Sequence, residues 1–208
     1  MNNSEDKTRG LFIVVSAPSG TGKTTICRLL LEKWPNLSFS VSFTTRSPRP
    51  DERDGESYHF ISTAAFKEKI ARGEFAEWVE NFGQFYGTSK ITMESCLEKG
   101  YDLLIDVEPR GAKELRKSFP GGIFIFLLPP SWEELKGRLI KRGFEEEAAM
   151  RERLEKAREE CGEVFWYDYV IFNDQLMETV ERLSAIYVAE KSRCEHLLDR
   201  IDNLLRSR

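Results

Sequence analysis

Hydrophobic and polar positions divide the chain into alternating short apolar runs and helical periods. Residues 11–16 form an apolar run with β-branched members, and after a Gly-rich turn an apolar-periodic stretch covers 24–34, where Pro35 ends it. This predicts strand, loop, helix. The cycle returns with a strand over 101–107, a helix over 111–119 and a buried strand over 122–128. Alternation of this kind implies a parallel sheet with helices on both faces, an α/β three-layer core. Beyond Pro129 and Pro130, Ser131 followed by Glu134 gives a capping box, which opens a helix to about Arg142 that Gly143 stops. A charged segment with helical spacing covers 145–161, a last short strand 169–172, and one helix over 176–205 is expected to close the core.

The stretch from 38 to 100 has another character, with Thr, Ser, Phe and Tyr alternating with turn residues and a helical piece near 64–72. It predicts an inserted α+β subdomain. Its aromatics Phe75, Trp78, Phe82 and Phe85 are expected in that subdomain's own core. The expected organisation is a disordered tail at 1–9, a core of 10–37, 101–142 and 161–208, the insert at 38–100 and a small helical lid at 143–160.

Composition narrows the chemistry. Of 208 residues, 40% are hydrophobic and 32% charged, which suits a soluble globular protein. No apolar run is long enough for a bilayer and residues 1–9 are polar, so the cytoplasm is the expected address and no membrane partner is expected. A net charge of −4 argues against nucleic acid as a partner, so bound anions must be held locally. The four cysteines lack metal-ligand or disulfide spacing, and the two histidines, His59 and His196, are isolated.

Residues 17–24 read A-P-S-G-T-G-K-T, the phosphate-loop pattern G-x-x-x-x-G-K-[ST] with Ala17 in place of the first glycine. Ala17, Pro18, Ser19, Gly20, Thr21, Gly22, Lys23, Thr24 and the following Thr25 are therefore the candidate ATP site. The glycines let successive N–H groups face phosphate oxygens, and the next helix adds its dipole. Lys23 reaches the β- and γ-phosphates, and the Thr24 hydroxyl suits Mg²⁺, the expected metal cofactor with ATP. A ligand-free Gly/Ser/Thr turn is the bland alternative, and the strand-to-helix context argues against it.

From about residue 11 to 205 the sequence resembles the guanylate kinase family of the nucleoside monophosphate kinases. V-S-F-T-T-R-S-P-R-P at 41–50 carries the resemblance, with G-E-F-A-E-W at 73–78 and F-Y-G-T-S at 85–89. It implies transfer of the γ-phosphoryl of ATP to GMP, with the 38–100 insert as the GMP-binding subdomain. It further implies Arg46, Arg49, Tyr58 and Tyr86 on the GMP phosphate, and Ser42, Glu77 and Thr88 on the guanine. Two guanidinium forks three residues apart suit a dianionic phosphate better than lysines would. I-D-V-E-P-R-G at 105–111 departs from the family's D-x-D-x-Q-G. Asp106 aligns with the first carboxylate, serving metal or acceptor, and Glu108 with the second, on the guanine. Arg138, Arg142 and Arg153 match the lid arginines that close over the ATP phosphates, and Asn173 a position near the adenine. Two rivals are a P-loop kinase for another acceptor and a guanylate-kinase-like module that binds a protein segment; the intact Lys23 and Thr24 argue against the second.

Overall fold

A computed structural model describes residues 10–141 and 147–207. Five parallel strands form the main sheet in the order β2-β7-β1-β8-β9: β1 (Phe12–Ser16), β2 (Leu37–Phe39), β7 (Asp102–Val107), β8 (Ile123–Leu128) and β9 (Tyr169–Phe172). The two-residue period of β1 explains both layers. Ile13 and Val15 face one side, packing with Ile26 and Leu30 of α1 (Lys23–Lys33) and Val180, Leu183 and Tyr187 of α7 (Leu176–Lys191). Phe12 and Val14 face the other, packing with Met93 and Leu97 of α3 (Lys90–Glu98) and Ala112 and Leu115 of α4 (Pro109–Ser118). The central strands β1, β7 and β8 are buried on both sides, as their near-continuous apolar runs require, whereas the edge strand β9 leaves Val170 and Phe172 exposed.

Four further strands, in the order β4-β3-β6-β5, make the second sheet: β3 (Phe43–Thr44), β4 (His59–Phe60), β5 (Phe75–Asn81) and β6 (Gln84–Ser89). Helix α2 (Thr63–Ala71) packs on it through the fully buried Phe66, whose ring stacks on Phe75 at 4.5 Å. Phe75 and Phe85 do belong to this small core. Trp78 and Phe82 are 42% and 45% exposed instead, because Trp78 lies on the edge strand β5 and Phe82 at the hairpin tip. The main sheet also reaches two residues past the expected boundary at 37, since Ser38 and Phe39 of β2 pair with β7, and α3 belongs by packing to the main core.

Helix α5 (Trp132–Lys141) opens on the expected cap, with the Glu134 N–H donating to Ser131 Oγ at 3.1 Å. Leu135 and Leu139 form a small third cluster with Met150 and Ala157 of α6 (Glu147–Gly162). The expected tail at 1–9, Arg142 and the stop at Gly143 lie outside the described residues. The single C-terminal helix expected over 176–205 is two. Helix α7 ends at Lys191, whose ammonium reaches Asp102 at 2.6 Å; Arg193 then turns extended, and α8 (Leu198–Arg206) follows without a buried residue. Only α7 closes the core, because the extended backbone at Arg193 breaks the helix and α8 buries none of its residues.

Candidate active site

The cleft lies at the carboxyl ends of β1 and β7, where open parallel sheets place their ligands, and the second sheet forms its far wall. Residues 17–22 curl between β1 and α1, with Gly20 at φ 94° and Gly22 at φ 100°, angles open to glycine and strained for other residues. Ala17 is 2% exposed, and its methyl fits the loop entrance. No side chain caps α1, so its first-turn N–H groups stay available to an anion.

Lys23 Nζ sits between the Asp106 carboxylate at 2.6 Å and the Val107 carbonyl at 2.7 Å. Burial alone would lower its pKa, but the charge and hydrogen bond of Asp106 outweigh burial and raise it, so the ammonium stays charged. Thr24 Oγ1 lies 3.5 Å from Asp106 Oδ2. A hydroxyl and a carboxylate at that spacing form a hard-oxygen pair that fits a Mg²⁺ ion taking its other ligands from phosphate and water.

On the opposite wall Arg46, Arg49, Tyr58 and Tyr86 converge. Burial, with the charge of Asp106, pushes the Tyr58 hydroxyl up to about 12, so it remains a donor. Glu77 and Thr88 are cross-strand partners next to a register shift between Phe75 and Glu77, a bulge that re-aims the strand inward. The Thr88 hydroxyl donates to Glu77 Oε1 at 2.6 Å, and Ser42 Oγ lies 3.5 Å from Thr88 Oγ1. Glu77 is 4% exposed, and burial pushes its pKa up to about 7. Glu108 also lines the cleft.

Other expected residues stand further back. Arg138 Nη1 and Asn173 Nδ2 both donate to the Thr21 carbonyl, at 2.9 and 2.6 Å, and Thr179 Oγ1 donates to Asn173 Oδ1 at 3.0 Å. Asn173, 5% exposed, thus braces the phosphate loop from beneath. Thr25 is exposed on α1 and outside the cleft lining. Arg153 lines the cleft, its guanidinium 4.6 Å from the centre of the Phe82 ring.

Sequence reading missed three participants. Glu52 binds Arg46 with both oxygens at 2.8 Å, Lys156 reaches Glu108, and Asn81 joins them. Glu52 and Lys156 look like solvated charges in a charged sequence; the spacing of Glu52, three residues after Arg49, was the one available signal. Asn81 gives none.

The guanylate kinase family model matches residues 9–190 of this chain. The chain belongs to the guanylate kinase family. A guanylate kinase of Syntrophus aciditrophicus is 55% identical over 207 residues, covering all of both chains, and one of Geobacter metallireducens is 44% identical, covering 94% of this chain and 96% of its own. Among solved structures, a guanylate kinase from Anaplasma phagocytophilum superposes with a TM-score of 0.75 at 32% identity, covering 94% of this chain and 97% of that one. The α/β P-loop fold is therefore that of a guanylate kinase.

Proposed function

We infer that this guanylate kinase family member transfers the γ-phosphoryl group of ATP to GMP, giving ADP and GDP, with the residues of this cleft in the following roles. The observation that carries the reading is the junction of two unlike walls: a phosphate loop with its buried lysine, and an arginine and tyrosine cluster beside a buried carboxylate.

Residues 17–24 cradle the ATP phosphates and Lys23 neutralises charge on the transferred group. Arg46, Arg49, Tyr58 and Tyr86 hold the GMP phosphate. Glu77 accepts the paired N1–H and 2-amino donors of guanine, assisted by Ser42, Thr88 and Glu108; adenine would set a bare acceptor against the same carboxylate. A GMP phosphate oxygen attacks the γ-phosphorus, a new P–O bond forms, and the bond to the β-phosphate oxygen breaks toward ADP. The acceptor's second pKa is about 6, so its oxygen is already ionised near neutrality and no general base is needed. The chain's task is to align two polyanions and exclude water. Thr24 and Asp106 would hold Mg²⁺, which offsets the triphosphate charge. Arg138, Arg142 and Arg153 serve the phosphates when the lid at 143–160 and the insert at 38–100 close.

No helix among the described residues is long and apolar enough to cross a membrane, in keeping with a cytoplasmic address. Coupled ADP release with GMP, AMP, CMP and UMP tests the acceptor: GMP should be turned over far faster than the others. Equal turnover of AMP would overturn the assignment of Glu77.

A further inference from the structure

Glu108 is gripped from two sides by parts of the chain far apart in sequence. Asn81 Nδ2, at the end of β5, donates to Oε1 at 2.5 Å, and Lys156 Nζ, on α6, donates to Oε2 at 3.3 Å. Lys156 also donates to Asn81 Oδ1, which closes a ring of three hydrogen bonds. The amide of Asn81 fits only one way round, oxygen to the cation and NH₂ to the anion.

The tip beside it is held in a costly shape. Phe82 has φ 49° and Gly83 φ 72°, a two-residue turn with both central residues left-handed. A non-glycine residue in that region costs about 1–2 kcal/mol and persists where surrounding contacts hold it. Here those contacts come from α6: Lys156 Nζ lies 4.9 Å from the Phe82 ring centre and Arg153 lies 4.6 Å from it. Lys156 pairs with Glu160 at 3.6 Å within its own helix, yet its side chain is only 24% exposed, since it spans to Asn81 and Glu108 as well. A surface i,i+4 pair would not be so enclosed.

A carboxylate has about four lone-pair sites. Asn81 and Lys156 occupy one on each oxygen of Glu108, leaving one on each for a ligand. We propose that Lys156 and Asn81 are positioning residues that aim Glu108 at the acceptor base, so that base discrimination depends on how α6 seats against the β5–β6 hairpin. The proposal rests on Glu108 reading the guanine, and it gives one residue of α6 a role in acceptor choice.

The test compares GMP with its analogue lacking the 2-amino group, IMP. Lys156→Met should lower kcat/KM for GMP about tenfold to a hundredfold, the range for losing a charge-assisted hydrogen bond, chiefly through KM for GMP. IMP should lose less, so the preference for GMP narrows, while KM for ATP holds and Lys156→Arg restores most of the preference. Added to Glu108→Ala, Lys156→Met should have no further effect on that preference. Asn81→Ala should move it the same way, and supplies the measurement if Lys156→Met fails to fold. Equal losses for GMP and IMP, or a fall in kcat with the preference intact, would overturn the proposal. If Glu108→Ala alone leaves the preference unchanged, the premise about Glu108 is wrong and the proposal falls with it, an outcome visible in that single variant.

Discussion

Glu52 holds the Arg46 guanidinium end-on, with 2.8 Å from each carboxylate oxygen to Nη1 and Nη2, and it accepts the Arg49 backbone N–H at 2.8 Å. Burial would raise the Glu52 pKa, but these hydrogen bonds outweigh burial and lower it, so it stays ionised near neutrality. A guanidinium has five N–H groups. Glu52 and the Ser47 carbonyl take three, so the guanidinium is held with its remaining N–H groups on the side it shares with Tyr86, where a phosphate would be met. Glu52→Ala should therefore raise KM for GMP about tenfold to a hundredfold with KM for ATP nearly unchanged, and Glu52→Gln should fall between. Steady-state kinetics with each substrate varied in turn will check this; an unchanged KM for GMP would show that Arg46 needs no such brace.

A glycine sets the other end of the acceptor site. A Cβ at Gly111 would lie 2.6 Å from Glu77 Oε2 and 3.2 Å from its Cδ, and Glu77 is pinned by Thr88. Gly111→Ala gains about 0.8–1 kcal/mol of helix propensity but overpacks a closed site at about 1–3 kcal/mol. Strain should win. A lower Tm and a reduced kcat/KM for GMP are expected; a higher Tm with unchanged kinetics would mean that Glu77 can give way.

The central layers were legible because β1 and β7 carry apolar runs whose alternation addresses both faces, and because glycine and lysine at 20, 22 and 23 have few other uses between a strand and a helix. The C-terminal break was not legible. Leu198, Ile201 and Leu205 continue a helical period, no Gly or Pro marks the break at Arg193, and the contact that Lys191 makes at the end of α7 is to Asp102, 89 residues away in sequence. The same holds for the site. Arg46, Glu77 and Thr88 sit in motifs, whereas Asn81 and Lys156 gain their meaning only from a contact across 75 positions, which no local pattern encodes.

Lys23 separates folding from chemistry. Lys23→Met should abolish phosphoryl transfer while the circular dichroism spectrum keeps its form, yet Tm should fall, because Asp106 loses its 2.6 Å partner in a site where its side chain is only 11% exposed. Adding Asp106→Asn to that variant should recover Tm without recovering activity. Turnover near the wild-type rate in Lys23→Met would remove Lys23 from the phosphate site.

The final prediction concerns pH and follows from Glu77, which burial pushes from 4.5 up to about 7, with the Thr88 hydroxyl opposing and the charge of Glu108 adding. Guanine offers two donors, so the ionised carboxylate is the binding form. kcat/KM for GMP should rise with pH up to about 7 and level off above it. The GMP phosphate, with its pKa of about 6, steepens the acid side, and Glu77→Gln should keep only that phosphate component. Stability runs the opposite way. Below 4.5 both folded and unfolded chains hold the proton; between 4.5 and 7 the unfolded chain releases it and the folded chain keeps it, so stability falls as pH rises and the full penalty stands above 7. Glu160, also pushed by burial to about 7, adds a second contribution of the same sign. Glu77→Gln should therefore melt higher than the wild type above pH 7, converge with it below about 4.5, and leave the Glu160 share of the slope in place. Superimposable Tm curves for variant and wild type across pH 4 to 8 would mean that Glu77 releases its proton in the folded protein over the same range as in the unfolded chain, and the loss of GMP activity between pH 7 and 5 would then belong to the phosphate alone.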